Sequence, residues 1–310
     1  MSSVLKRGEP GWYYRLGTYF KEQFGQPVYK IPLDAGFSCP NRDGTAGTGG
    51  CSYCYNPSFS PHCREDQPPA LSEQLQKGKK KKPALYLAYF QSYTNTYAPL
   101  PKLKELYDQA LAVPEVIGLS IATRPDCLSP AILDLLEDYA NRCHLWVELG
   151  LQSAHDKTLN RINRGHSAAD FVKAVMLTHE RGIRVCAHLI LGLPGETAAM
   201  YGETINLINR NNIEGIKFHH LQVIRGTPLA EEYKTGDVPV FVNLAHYLPQ
   251  LCDCLELLNP ATVVHRLASQ ATSADLLIAP HWPESAGQIA AAVTEELKTR
   301  GAHQGRRFSQ

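Results

Sequence analysis

The 310-residue chain has almost no net charge: 31 lysines and arginines face 30 aspartates and glutamates, which leaves +1. That removes any global electrostatic pull toward nucleic acid or a membrane surface, although a local basic patch would still serve an RNA. No stretch approaches the ~18 apolar residues of a membrane span, and the opening Met-Ser-Ser-Val-Leu-Lys-Arg has no apolar leader. There is no long low-complexity segment. Nine cysteines, an odd number scattered along such a chain, do not form a disulfide framework. They fit a reducing cytoplasm, where cysteines serve as metal ligands or buried thiols. Cys143, Cys186, Cys252 and Cys254 lie in apolar-patterned segments and read as core thiols.

Three cysteines stand apart. Cys39, Cys51 and Cys54 occupy Ser38-Cys-Pro-Asn-Arg-Asp-Gly and Gly49-Gly-Cys-Ser-Tyr-Cys, with eleven residues between the first two. The glycines of that interval (Gly44, Gly47, Gly49, Gly50) let the backbone fold tightly around a bulky group. Three thiolates can hold three corners of a cubane iron–sulfur cluster and leave the fourth iron open to a reacting molecule. The pair Cys51-x-x-Cys54 alone also fits a zinc knuckle with Cys63 or His62 as fourth ligand.

Short apolar runs alternate with amphipathic stretches. Strands are expected at 28–33, 84–90, 116–122, 145–151, 184–191 and 215–221, and helices at 71–76, 100–112, 130–141, 168–181 and 199–211. Such alternation means a parallel sheet with right-handed crossovers, and six repeats in about 200 residues predict a partial (β/α)6, TIM-like α/β barrel. Residues 1–27 read as an N-terminal helical extension, 28–235 as the barrel, and 236–310 as a C-terminal extension with helices near 242–258 and 284–298. The last ten residues are polar and predict a frayed end.

Each expected strand ends in a polar or glycine-rich cluster: the cysteine loop, Gln91-Ser-Tyr-Thr-Asn-Thr, Thr123-Arg-Pro-Asp, Gln152-Ser, Gly192-Leu-Pro-Gly-Glu and Gln222-Val-Ile-Arg-Gly-Thr. Barrel enzymes carry their chemistry at the C-terminal ends of strands, so all six clusters should converge on one mouth. That convergence points to an enzyme and counts against a non-catalytic metal-binding module. The run Lys77-Gly-Lys-Lys-Lys-Lys precedes a strand instead, which puts it on the opposite face as a solvated loop.

With those motifs in order, the chain resembles the radical SAM superfamily. More narrowly it resembles the YhcC-like (MnmL-like) group, akin to the radical SAM domain of the Elongator catalytic subunit. The carrying segments are Gly36-Phe-Ser-Cys-Pro-Asn-Arg-Asp-Gly, Gly49-Gly-Cys-Ser-Tyr-Cys, Tyr89-Phe-Gln-Ser-Tyr-Thr-Asn-Thr-Tyr, Thr123-Arg-Pro-Asp, Glu148-Leu-Gly-Leu-Gln-Ser, Asn163-Arg-Gly-His, His188-Leu-Ile-Leu-Gly-Leu-Pro-Gly-Glu and His265-Arg, spread from about residue 12 to 285. The long first cysteine interval departs from the commoner superfamily spacing and is a feature of this group.

The resemblance implies a [4Fe-4S] cluster on Cys39, Cys51 and Cys54, with S-adenosyl-L-methionine bound to the fourth iron through its amino and carboxylate groups. Its reductive cleavage would yield a 5′-deoxyadenosyl radical that abstracts a hydrogen atom, fed by an electron donor such as flavodoxin or ferredoxin. Cofactor contacts are implied for Gln91, Ser92, Tyr93, Thr94, Glu148, Gln152, Arg164 and Gly192; Glu148 also reads as an ion-paired core residue. The implied substrate is a tRNA wobble uridine, with a 5-carboxymethylaminomethyl group converted to 5-aminomethyl. A small molecule or peptide is the alternative. Arg42, Arg124, Asp126, Arg225, His265 and Arg266 are the substrate-facing candidates, helped by Arg306 and Arg307. His188 and His219 should point into the barrel if strand alternation holds.

Overall fold

The computed structural model describes residues 11–60, 68–270 and 274–309. Its elements in chain order are α1 (Leu16–Phe24), β1 (Val28–Leu33), α2 (Leu71–Gly78), β2 (Leu85–Phe90), α3 (Leu100–Leu111), β3 (Val116–Thr123), α4 (Pro130–Ala140) and β4 (His144–Gln152). They continue with α5 (Asp156–Arg161), α6 (Ala168–His179), β5 (Arg184–Leu191), α7 (Ala198–Arg210), β6 (Gly215–His220), β7 (Val223–Ile224), α8 (Pro228–Lys234), α9 (Leu244–Leu257), β8 (Val263–Arg266), β9 (Leu277–Ala279) and α10 (Ala286–Thr299). Seven strands form one parallel sheet in the order β1-β2-β3-β4-β5-β6-β8, curled into a partial barrel. The expected barrel class is what the structure has. Its seventh strand, β8, comes from the C-terminal extension and at four residues is too short to announce itself by pattern.

Strand alternation sorts the side chains. Ile31, Leu33, Ala88, Phe90, Leu119, Ile121, Val147, Leu149, Val185, Ala187, Ile216 and Phe218 face the helices and form the main core. The opposite face lines the barrel interior and is polar in its middle: Lys30, Tyr89, Ser120, Glu148, His188, Lys217 and His219. Alternation therefore brings His188 and His219 inside, as expected.

At the N-terminal ends of the strands, the foot of the barrel, α1 acts as a plug. Tyr19 and Phe20 pack with Val28, Leu87, Trp146, Cys186 and Val263. His144 sits among Tyr19, Phe20, Phe24 and Trp146 at centroid distances of 5.2–6.3 Å. The Trp146 indole N–H donates to His144 Nε2 at 3.0 Å, so the ring proton belongs on Nδ1. Burial and the Arg184 and Lys30 charges hold His144 down at about 3. Lys79 reaches Glu115 and the Pro114 carbonyl just before β3, which fixes the lysine run at this foot, as its position predicted.

The C-terminal end is docked, not frayed. Gln304 is buried; its Nε2 donates to the carbonyls of Asn259 and Thr262, and its Oε1 accepts from the Tyr14 N–H. Arg307 pairs with Glu256 and Asp253, while Arg306 donates to the carbonyls of Arg300 and Gly301. Asn259 and Thr262 precede β8, so this segment belongs to the foot, and Arg306 and Arg307 lie away from the mouth.

Candidate active site

One cavity opens at the C-terminal ends of the strands. It is lined by Cys39, Arg42, Cys51, Cys54, Gln91, Tyr93, Thr94, Arg124, Glu148, Gln152, Arg164 and Arg266, among others. The cysteine loop follows β1 and is held from two sides. On one side Gln91 N–H donates to Leu33 O, Thr94 N–H to Ser38 O, and Tyr93 N–H to Asn56 Oδ1. On the other, the turn after α5 clasps it: Ser52 N–H donates to Ile162 O at 2.9 Å, and Asn163 Nδ2 to Gly50 O at 2.8 Å. Gly50 has φ +79°, and a Cβ there would stand 2.9 Å from Arg42 Nε. Only glycine lets Arg42 cross that backbone to reach the Cys54 carbonyl.

The three thiols are free, and nitrogen donors are turned toward two of them. Asn41 Nδ2 and Arg164 Nη1 lie 3.7 and 3.5 Å from Cys51 Sγ, and Asn56 Nδ2 lies 3.9 Å from Cys54 Sγ. Donors of this kind stabilise sulfur carrying negative charge and orient it for metal. Burial and the Cys51 thiol push Cys54 up to about 11 against the lowering charge of Arg42, and metal binding at a thiol releases its proton. Among the described residues, no three His, Cys, Asp or Glu side chains converge on one metal ion; Cys63 and His62, the candidate zinc ligands, lie outside them. The donor set and its N–H partners fit a cluster held at three corners.

Arg164 is buried, with Nη2 donating to Gly150 O at 2.7 Å and Nε without a partner among the described residues. A Cβ on Gly150 would stand 2.4 Å from Arg164 Nη2, so that glycine makes room for the guanidinium. Ser92 Oγ, beside the cavity, is likewise buried and unpartnered. Gln152 ends β4 at φ +71°, a left-handed conformation rare outside glycine, where the register with β5 slips by one residue.

Deeper in the barrel lies a charged cluster whose partners the sequence did not reveal. The Glu148 carboxylate is fully buried and shared by Lys30 Nζ (2.6 Å), Lys217 Nζ, His188 Nε2 (2.7 Å) and Ser120 Oγ (2.5 Å). Glu148 is held well below the usual carboxylate range: burial opposes ionisation, but Lys217 and Lys30 outweigh it. Burial brings Lys217 down to about 7, since Glu148 is divided between two lysines and Lys30 and Arg266 repel it. The sequence alone did not single out Lys30 or Lys217; a charge in the middle of an apolar strand is the one signal each carries.

Not every candidate is free to serve the cavity. Arg124 spends its guanidinium on Asp126, at 2.9 Å to both carboxylate oxygens, and on the Arg164 carbonyl. Paired, the buried Arg124 and the exposed Asp126 brace the loop after β3. Gly192 lies beneath the Phe241 ring, where a Cβ would come within 3.0 Å, and donates its N–H to Tyr201 Oη. Arg225 is exposed outside the cavity lining. His265 sits below it, 3.1 Å from Lys30 Nζ and edge-on to Trp146 at 4.5 Å. Arg266 does line the wall, through an irregularity: Ile216 pairs with Val264 but Lys217 pairs with Arg266, so His265 is an extra residue. The bulge lets both His265 and Arg266 project inward.

A partial parallel barrel with three unpaired cysteines after its first strand and a polar cavity at the same mouth is the architecture of a cluster-dependent enzyme. The chain belongs to the radical SAM superfamily. The superfamily model matches residues 43–208, and a radical SAM C-terminal domain matches residues 213–299. The protein YhcC of Escherichia coli is 40% identical over 272 residues, spanning 87% of each chain. A tRNA uridine(34) acetyltransferase of Methanocaldococcus infernus is 36% identical over 125 residues, 39% of this chain and 23% of that one. The fold matches the archaeal Elp3 of M. infernus at a TM-score of 0.64 and 17% identity, over 91% of this chain and 64% of that one. The superfamily's cofactors are a [4Fe-4S] cluster and S-adenosylmethionine. Among the described residues no helix is long and apolar enough to cross a membrane.

Proposed function

We propose that this radical SAM enzyme acts on a uridine of tRNA, removing the carboxymethyl part of a 5-carboxymethylaminomethyl group to leave 5-aminomethyl. The carrying observation is the stretch shared with a tRNA uridine(34) acetyltransferase, supported by the Elp3-like fold. Cys39, Cys51 and Cys54 would hold the cluster, with Asn41, Asn56 and Arg164 supporting the sulfurs. Gln91, Tyr93, Thr94, Gln152 and Arg164 form the wall next to it and suit the cofactor's polar ends. When bound, S-adenosylmethionine would supply the oxidising power: its cleavage to methionine and 5′-deoxyadenosine would match the two electrons lost by the arm, which water would then release as glyoxylate. The residues' part is placement, and exclusion of water from the cavity floor. A reductant of the flavodoxin or ferredoxin kind would prime the cluster, with no net electron drawn from it by that two-electron exchange.

The test is nucleoside analysis of tRNA from cells with and without the protein, together with anaerobic turnover of tRNA carrying the arm. The expected result is accumulation of 5-carboxymethylaminomethyluridine without the protein, and formation of 5-aminomethyluridine and 5′-deoxyadenosine with it. Unchanged nucleosides and no turnover would refute the tRNA reading. Cleavage stimulated instead by a peptide or small-molecule pool would favour the alternative substrates.

A further inference from the structure

The cavity has a second polar wall, remote from the cysteine loop in sheet order, on the neighbouring strands β6 and β8. Its charges do not balance. Lys30 and Arg266 bring two cations to the barrel interior and Lys217 a third basic group, and Glu148, the only carboxylate lining the cavity among the described residues, is already bonded to both lysines. Arg266 has no hydrogen bond or ion pair among the described residues, although the bulge at His265 turns it onto this wall. A guanidinium in a partly buried position with no anion is a site for one, and its fork suits a carboxylate.

His219 completes the wall. Ser269 Oγ donates its proton to the His220 carbonyl at 3.1 Å, so it can only accept from His219 Nδ1 at 3.2 Å. The His219 proton is thereby fixed on Nδ1, and Nε2 is a bare acceptor, buried and without a partner among the described residues. Lys217 and Arg266 are register partners, and His219 lies two residues further toward the mouth, about 6.6 Å along the strand. An anion receptor and an N–H acceptor therefore line the same cavity.

We infer that this wall recognises an amino-acid-like group on the substrate: a carboxylate received by Arg266 and an amine N–H received by His219 Nε2. The inference rests on the proposed function, because a carboxymethylamino arm is such a group, with one carbon between amine and carboxylate. Held at both ends, that carbon is fixed in the cavity as the site of hydrogen abstraction. The lysines beneath add positive potential without contact, and Glu148 keeps them in place. Arg266 thus sets specificity for the acid and takes no part in the bond changes.

The experiment compares two tRNA substrates, one with the arm as the free acid and one with its carboxylate converted to the carboxamide, on cluster-loaded enzyme under anaerobic conditions. Wild type should prefer the acid in kcat/KM by about tenfold or more, the ratio a charge-assisted pair commands. Arg266→Gln should bring the acid down to the level of the amide, mainly through KM. Arg266→Lys, which keeps the charge and loses the fork, should fall between and serves as the folded comparison; cluster content and S-adenosylmethionine binding are measured on each variant. An acid preference retained in Arg266→Gln, or absent from wild type, would overturn the inference and leave the tRNA reading standing. Turnover of neither substrate by wild type would overturn both.

Discussion

The two ends of the barrel are built on opposite terms. At the foot, α1 closes the sheet with an aromatic layer, and His144 Nε2, Gln304 and Arg307 are engaged, with His265 Nε2 against Trp146 the exception among the described residues. At the mouth, Asn41 Oδ1, Ser52 Oγ, Ser92 Oγ, Arg164 Nε and His219 Nε2 are buried without partners among the described residues. A buried polar atom left unpaired costs roughly 1–3 kcal/mol, so a cluster of them persists only where something else supplies the missing bonds. The difference teaches where stability ends and ligand binding begins.

Cysteine substitutions should show the largest contrast. Cys51→Ala removes a thiolate from the mouth and should abolish bound iron, brown colour and S-adenosylmethionine cleavage together. Cys254→Ala, in the apolar packing of α9, should keep full iron and cleavage and lose only some stability. Iron and sulfide analysis after anaerobic purification decides between them; a Cys51→Ala protein with full iron would break the assignment.

Glu148, between the two ends, gives the next effect. Glu148→Gln leaves Lys30 and Lys217 buried without a counter-charge, and breaking a buried pair in this way costs about 3–5 kcal/mol. The denaturation midpoint should fall sharply. A midpoint unchanged alongside weaker S-adenosylmethionine binding would instead move Glu148 to a direct cofactor contact.

The smallest expected effect belongs to the foot. His144 is held neutral when folded, near 3, and unfolded histidine titrates near 6.5. Between those values the unfolded chain binds more protons, so stability falls as pH drops below about 6.5, by about 1–2 kcal/mol at pH 5. His144→Phe should remove its share of that acid limb, leaving the shares of the other buried histidines (His166, His188, His219, His220 and His265), while lowering stability at neutral pH, because Trp146 Nε1 loses its acceptor. Denaturation midpoints at several pH values test both; an acid limb as steep as wild type would place the titration elsewhere.

Much of this was legible in the chain. The six expected strands lie within a residue of their observed ends, because buried parallel strands flanked by amphipathic helices leave a strong pattern. The cysteine loop was equally clear, since its residue types and spacing are local. What stayed hidden depends on distant partners. Nothing near Glu148 announces Lys30 or Lys217, and the polar tail gave no sign that Gln304 would be bound by Asn259 and Thr262. The bulge at His265 is a backbone irregularity with no signature in a four-residue strand, yet it decides which side chain faces the cavity. Arg124 and Asp126 stand in the loop after β3, where a carboxylate two residues away claims the guanidinium.

The docking of Gln304 also has a practical meaning. It receives the Tyr14 N–H and donates its own backbone N–H to Trp12 O, so the segments near both ends of the described chain are laced together at the foot. A tether fused after the final residues emerges there, on the side away from the cavity. The enzyme can be anchored to a bead or an electrode by its tail with the entrance facing outward, leaving a bulky substrate free to approach.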